Sequence, residues 1–300
     1  MIRMISTEGT SGLDPDDRES PAERLRPRLF GIAYRMLGDV HDAEDVVQEG
    51  MLRWQRTAPS AIREPEAWLV AVVTRLSIDR LRRARTERET YPGPWLPEPI
   101  ADERVAPDRG VELASDLSMA FLVLLEQLAP EERAAFLLRE VFESDYEEIA
   151  GVLGKSSAAA RQIVHRARER VRSARPRFPA PPDAKARLFD RFVEALAADD
   201  KEELLAVLAP EATLTSDGGG KISAARRVIV GRERIARMLI ALERKHDHPF
   251  AYALQHVNGE PALAMYHGGE LFAMNFIETD GERIVALYRV MNPDKLAGLR

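Results

Sequence analysis

Residues Tyr146 to Arg172 read YEEIAGVLGKSSAAARQIVHRARERVR, and this stretch decides the architecture around it. It predicts two helices joined by a tight turn. Asp145 stands where an N-cap is needed, Glu148 answers it three positions into the helix, and Ile149, Ala150 and Leu153 form an apolar stripe that Gly154 ends. Ser156 or Ser157 opens the second helix, in which Ala160, Val164, Ala167 and Val171 recur at i, i+4, i+7 and i+11. That spacing turns Arg161, Gln162, His165, Arg168 and Arg172 outward. From Lys155 to Arg177, eight basic residues meet one acid, Glu169. A basic amphipathic helix just after a glycine turn is the footprint of a helix-turn-helix that docks its second helix in the DNA major groove. Ala158, Ala159 and Ala160 permit close backbone approach, where a helix facing only solvent more often carries Glu and Lys.

Composition bounds the rest. The 300 residues, 45% of them hydrophobic, suffice for two or three domains with real cores. The absence of cysteine excludes disulfides and thiolate zinc sites and fits a reducing compartment. Residues 1–20 contain Asp14, Asp16, Asp17 and Glu19 but no apolar signal region, and no apolar run reaches spanning length. A cytoplasmic protein with a disordered N-terminus and no membrane contact is expected. A net charge of −6 conflicts with DNA binding until its segregation is seen. Asp39 to Glu49 holds five acids and no Lys or Arg, whereas Arg75 to Arg88 holds six arginines against Asp79 and Glu87. Acid and base serve different partners.

Residues 21–86 predict a helical bundle. Pro27 to Leu37 forms an apolar helix that Gly38 ends. Asp39 caps the next, whose stripe of Ala43, Val46, Val47, Gly50, Met51 and Trp54 leaves Asp42, Asp45, Gln48 and Glu49 on a free face. After a loop over 57–63, Glu64-Pro65 opens a helix that buries Trp68, Leu69, Val72, Val73 and Leu76. It then turns basic at Arg75, Arg80, Arg82, Arg83 and Arg85, with Asp79 placed to pair with Arg75 or Arg83. Such an end suits a phosphate backbone. Residues 87–112 form a proline-rich linker in which Trp95, Leu96, Pro97, Glu98 and Pro99 stand out, since a Trp on a stiff extended segment serves as an anchor on another domain. Residues 113–175 form a second helical domain, with a long apolar helix over Leu113 to Leu128 and another from Pro130.

A hinge over 176–182 leads to residues 183–300. Helices over Asp183–Ala198 and Lys201–Leu208 precede a strand at Ala212–Ser216, a short extended stretch at Val228–Val230 and a helix over Gly231–Glu243. Strands then follow near Phe250–Val257, Ala262–Tyr266, Leu271–Glu278 and Ile284–Met291, with turns at Asn258-Gly259, Gly268-Gly269 and Asp280-Gly281. This is an α+β cone. The whole chain is therefore expected to be multidomain: two all-α helical domains, the second with a helix-turn-helix, plus the C-terminal α+β cone.

DAEDVVQEGMLRW, WLVAVVTRLSIDRLRR, PEERAAFLLREVF and the helix-turn-helix, in that order over residues 20–175, resemble an extracytoplasmic-function (ECF) sigma factor. The resemblance implies a protein that binds core RNA polymerase, recognises the −35 and −10 elements of promoter DNA and opens the duplex. It assigns Asp42, Asp45, Gln48 and Glu49 to the polymerase and Arg75, Arg80, Arg82 and Arg83 to the −10 element, with the 57–63 loop where such proteins capture a flipped base. In the −35 reader, Arg161, Gln162 and His165 are candidates for base edges, with Ser157 beside them, and Lys155, Arg166 and Arg168 for phosphates. Ala159 and Ile163 stand where the family commonly has threonine and a basic residue, which points to a different −35 sequence.

The C-terminal region resembles the SnoaL-like, NTF2-like fold, and the chain as a whole the ECF group that carries such a tail. Trp95 to Pro99, Asp217-Gly218-Gly219-Gly220-Lys221 and Asn292-Pro293-Asp294-Lys295-Leu296 match its signatures. Autoregulation is the expected role: a mobile DGGGK turn near WLPEP, with the tail packed on the linker and both helical domains. DGGGK lacks the spacing of a nucleotide loop. Asp217, His256, Tyr266, His267 and Arg289 could line a small-ligand pocket, and a cone of this kind can house catalysis, but fold alone implies neither. His246 and His248 lack a third metal ligand. No cofactor, metal or catalytic activity is expected, and the free chain is expected to be a monomer. The alternative is an operator-binding, ligand-responsive regulator or enzyme that never meets polymerase. The acidic helix argues against it.

Overall fold

The apolar stripes of the N-terminal half meet one another as helices. In the computed structural model, which describes residues 21–101, 117–174, 183–245 and 249–299, α1 (Pro21–Leu37), α2 (Val40–Arg56) and α3 (Pro65–Arg88) pack around Leu29, Ile32, Met36, Val47, Leu69 and Val73. Asp39 caps α2, accepting from the Asp42 N–H at 2.9 Å. Gly50 is where α2 and α3 touch: a Cβ there would lie 2.8 Å from Val73. Helix α1 starts six residues before the expected Pro27. Pro27 sits inside it, and the packing of buried Ala22 and of Leu25 on the core offsets the backbone hydrogen bond that proline removes. Helix α3 runs on to Arg88.

The second helical unit comprises α4 (Met119–Leu125), α5 (Pro130–Glu140), α6 (Tyr146–Leu153) and α7 (Ser157–Ala174). The expected capping box is present, with Asp145 accepting from the Glu147 and Glu148 N–H groups and Glu148 accepting from the Asp145 N–H. Gly154 ends α6 at φ 64°, a left-handed conformation that glycine adopts without strain. The long helix expected over Leu113–Leu128 is instead the seven-residue α4, capped by Ser118. Residues 113–116 lie outside the described chain, as do residues 1–20, the 176–182 hinge, His246 and His248. Ile163 joins the inward stripe of α7. The two helical units share one continuous apolar cluster, from Leu29 through Leu137 to Val171.

The C-terminal region is an α+β cone. Helices α8 (Ala184–Ala197), α9 (Lys201–Val207) and α10 (Arg232–Lys245) pack with one face of a six-stranded sheet. The strands are β1 (Leu208–Asp217), β2 (Ile229–Val230), β3 (Ala251–Val257), β4 (Glu260–His267), β5 (Glu270–Thr279) and β6 (Ile284–Val290), in the order β2-β1-β6-β5-β4-β3. Among the described strands, only β1 and β6 pair parallel. Strand period sorts the side chains: Leu263, Ile277 and Leu287 join the helices, while Ala262, Ala264, Met274 and Phe276 face the other way. That second face is covered by Leu96 and by Met119 of α4. A short α11 (Pro293–Leu296), capped by Asn292, closes the region. Pro261 falls inside β4 although the strand was expected to start after it; it pairs with His256 of β3, and the β5 pairing begins only at Leu263. Among the described residues, no helix is long and apolar enough to cross a membrane.

Candidate functional site

Helix α7 presents Arg161, Gln162, His165, Arg166 and Arg168 to solvent, as its periodicity requires. Several are already held by neighbours. The Arg161 guanidinium lies 5.0 Å from the Tyr146 ring, Arg168 donates to Glu140 at 2.5 Å, and Lys155 pairs with Glu131 at 3.2 Å. Ser157, at the start of α7, is half-buried. Gln162, Arg166 and Lys155 line a groove of about 500 Å³ together with Arg82 of α3.

The basic end of α3 is not the free surface that composition suggested. Arg75 donates to the Val152 and Gly151 carbonyls at 2.9 and 2.6 Å, so it ties α3 to the C-terminal end of α6, where exposed carbonyls favour a cation. Arg80 donates to Asp42 at 2.7 Å and to Glu87 at 3.0 Å. Arg82 bridges Asp79 at 3.0 Å and Glu131 of α5 at 2.9 Å. Arg83 donates to the Asp79 carbonyl at 3.4 Å. Asp79 therefore pairs with Arg82, not with Arg75 or Arg83. Asp42, expected on the free acidic face, lies partly under α3 with 14% of its side chain exposed. Burial pushes its carboxyl up, and the Arg80 hydrogen bond pulls against that. Asp45 and Gln48 remain exposed, Gln48 accepting from Arg26 at 3.1 Å, and Glu49 pairs along the helix with Arg53 at 2.7 Å.

The linker and the C-terminal region meet in a polar catch around Asp217, the last residue of β1 and fully buried. Its carboxylate accepts from the Leu96 N–H at 2.9 Å, the Tyr91 hydroxyl at 2.6 Å, the Gly219 N–H at 3.0 Å and the Lys295 ammonium at 2.8 Å. Lys295 also donates to the Leu96 carbonyl at 2.5 Å and lies 4.1 Å from the Trp95 ring, against which Arg88 packs at 3.3 Å. Burial pushes the Lys295 ammonium down, opposed by Asp217. Asn292 donates to the Tyr91 hydroxyl at 3.1 Å, and Lys221 pairs with Asp294 at 2.7 Å. The glycines that follow Asp217 are packed in place, which corrects the expectation of a mobile turn. A Cβ on Gly219 would lie 2.4 Å from the Asn292 side chain and one on Gly220 2.6 Å from Pro92, both at positive φ. Glu98 reaches the other way: its carboxylate accepts from the Val40 N–H at 2.9 Å, at the start of α2, where a helix favours negative charge. Its carbonyl accepts from the Tyr34 hydroxyl at 2.6 Å.

Two further connections carry no sequence signature of their own. The Asn258-Gly259 turn, legible as a turn, buries its Asn258 side chain in the helical half. There Asn258 donates to the Tyr34 hydroxyl and the Leu117 carbonyl, each at 3.0 Å, and accepts from the Ile100 N–H at 2.9 Å. Glu260 accepts from the Met119 N–H at 2.7 Å. Within the helical half, fully buried Arg133 lies 2.7 Å from Glu126, an ionic contact without hydrogen-bond alignment. It also donates to the Leu125 and Met36 carbonyls at 2.9 and 2.8 Å. Glu126 in turn holds Arg88 at 2.6 Å, and Arg88 donates to the Leu37 carbonyl at 2.8 Å. Burial works against the charge of Glu126, but Arg133 and Arg88 outweigh it and hold its carboxyl below the usual range.

The polar set considered for a ligand pocket is dispersed among different neighbourhoods. Asp217 turns to the linker, buried Arg289 donates to Asn275 at 2.6 Å, and the Tyr266 hydroxyl accepts from Gln255 at 2.8 Å. His267 sits with Phe250 and Phe272, and His256 is exposed on the edge strand β3. Among the described residues, no group of three or more acidic or histidine side chains could hold a metal ion.

Two helical units, the second with a basic helix-turn-helix, joined by a linker that a C-terminal cone holds down, define a sigma-type transcription factor. Residues 22–87 match the family model for Sigma-70 region 2 and residues 118–171 that for Sigma-70, region 4. The chain belongs to the ECF RNA polymerase sigma factors of the sigma-70 family. It is 38% identical over 292 residues to the ECF RNA polymerase sigma factor SigJ of Mycobacterium tuberculosis, covering 93% of each chain. A probable ECF sigma factor, SigI, of the same organism is 31% identical, with 92% of this chain and 93% of the relative covered. The crystal structure of SigJ superposes with a TM-score of 0.72 at 35% identity, over 92% of this chain and 96% of that one. The region after the helix-turn-helix is thus an α+β domain fused to the sigma units.

Proposed function

We propose that this sigma factor engages core RNA polymerase through the exposed acidic face of α2, chiefly Asp45, Gln48 and Glu49. In this reading α7 reads the −35 element and the basic end of α3 the −10 element, and the C-terminal domain holds the chain in a form that cannot do both at once. One observation carries this: Arg82 of α3 and Gln162 and Arg166 of α7 line a single groove. Elements centred about 25 base pairs apart lie about 85 Å apart at ~3.4 Å per base pair. Side chains sharing one groove cannot touch both, so the two units part before promoter engagement. Arg75, Arg80 and Arg82 then exchange protein carbonyls and carboxylates for phosphates. Polymerase and promoter bind only the parted form and shift the population toward it.

The catch at Asp217 and the Asn258 anchor oppose that parting, because each joins the C-terminal domain to groups that must move. The domain acts here as a binding module, with its convergent polar groups engaged in holding the linker, and the factor works as a cytoplasmic monomer until polymerase takes it up. The chain has no cysteine, so a chemical lock can be placed cleanly. Full-length protein carrying Asp79→Cys and Glu131→Cys, which flank Arg82 from α3 and α5, joined by a short bis-maleimide, is expected to lose run-off transcription from its cognate promoter, while the unlinked variant retains it. Full activity of the linked protein would refute the closed form.

The −35 assignment carries its own expectation. Arg161→Ala should weaken use of the cognate −35 sequence by about 1–3 kcal/mol and relax specificity at one base pair, whereas Arg168→Ala should weaken all duplexes alike. Affinities for a panel of single-base −35 variants separate the two. Matching profiles would overturn the division into base and phosphate contacts.

A further inference from the structure

The C-terminal domain carries a basic surface that neither the catch nor the sigma units use. Residues 226–237, RRVIVGRERIAR, hold five arginines and one acid. Glu233 is taken by Lys201 at 3.0 Å, and Arg232 donates to the Leu205 carbonyl at 3.1 Å. Arg226, Arg227, Arg234 and Arg237 are exposed and have no side-chain partner among the described residues. This sets them apart from Arg75, Arg80 and Arg82, each of which has a partner. Val228 and Val230, between the two arginine groups, are 47% and 44% exposed. On a chain of net charge −6, four unbalanced guanidinium groups within twelve residues are maintained against the overall trend.

Their position links them to the DNA side of the molecule. A Cβ on Gly93 would lie 3.6 Å from the Arg226 Cα, so the arginine pair abuts the chain five residues beyond Arg88, the end of the basic helix α3. The Arg226-Arg227 pair of the C-terminal domain therefore lies beside the linker segment that leaves α3. We propose that Arg226, Arg227, Arg234 and Arg237 form a third, sequence-independent contact with the phosphate backbone of duplex DNA. The domain that restrains the sigma units would then also help to keep the factor on DNA. Guanidinium groups on the bend before β2 and on the first turns of α10 fit a row of phosphates, which accept them without regard to sequence. An acidic protein surface would satisfy the same charge, and the test separates the two.

The proposal rests on the sigma reading only in requiring DNA as partner. Binding of the full-length chain to promoter and scrambled 40-base-pair duplexes is followed by fluorescence anisotropy at several salt concentrations. The comparison is with the variant carrying Arg226→Ala, Arg227→Ala, Arg234→Ala and Arg237→Ala. Affinity is expected to fall at least tenfold at low salt on both duplexes. The salt slope should flatten by about 2 to 4, at ~0.9 per lost phosphate contact. The corresponding four-lysine variant should retain most of the affinity and slope, since a phosphate accepts either cation. An unchanged slope in the alanine variant, with normal wild-type binding, overturns this proposal and leaves the sigma reading intact. So does loss of core-polymerase association with an unchanged slope, which would assign the patch to a protein. Failure of the wild type to bind any duplex overturns this proposal and leaves intact the sigma reading, in which the closed chain engages the promoter only after the units part.

Discussion

Asp217→Ala is expected to release the C-terminal domain from the linker and raise transcription from the cognate promoter several-fold. The carboxylate serves Leu96, Tyr91, Gly219 and Lys295 at once. Its loss leaves the Lys295 ammonium, 6% exposed, with the Leu96 carbonyl and aromatic neighbours as its remaining partners. Breaking a buried ion pair from one side costs about 3–5 kcal/mol, enough to move a closed-to-open ratio by a hundredfold or more. Run-off transcription with core polymerase reads the gain, and limited proteolysis should find new cleavage between Pro92 and Pro99. Removing both charges, by Asp217→Leu with Lys295→Met, should restore part of the restraint, since an apolar replacement of a buried pair is often close to neutral. If Asp217→Ala leaves both transcript yield and cleavage unchanged, the catch does not restrain the sigma units.

Glu126→Ala is expected to give the largest loss of stability in the helical half. It removes the carboxylate between half-buried Arg88 and fully buried Arg133 and leaves two cations facing one another, at a cost of about 3–5 kcal/mol. The midpoint of thermal unfolding should drop by about 5–15 °C. Glu126→Leu with Arg133→Met should recover part of it. The folded pKa of Glu126 lies below its unfolded value, so its contribution is present above the ordinary glutamate value of about 4.3 and is lost as pH falls through the folded pKa. Wild type should therefore lose more stability than Glu126→Leu on acidification. A midpoint within 2 °C of wild type at neutral pH would contradict a clasp at this position.

What could be read from the sequence was what short-range geometry fixes. The Asp145–Glu148 box, the Gly154 break and the outward row of α7 each depend on neighbours within one or two turns, and helical period alone places them. The roles of α3's arginines were legible only as an excess of charge. Arg75 meets carbonyls 76 and 77 residues away and Arg82 meets Glu131, partners that no local pattern specifies. Asp42 misled for the same reason: its spacing along α2 is that of the acidic face, but α3 crosses over it. Trp95 announced itself by being stiff and aromatic. Asn258 announced only its turn, because its partner Tyr34 lies 224 residues earlier.

The apolar cover of the sheet bears on how long an opened molecule can last. Leu96 and Met119 close over Met274, Phe276 and Leu296, so parting the units wets side chains that belong in neither solvent nor DNA. Under the proposed closed form, a released chain would be sticky as well as active. It would have to reclose, be captured by polymerase or begin to aggregate, so a stimulus that frees it would work best as a brief pulse timed to the supply of free enzyme.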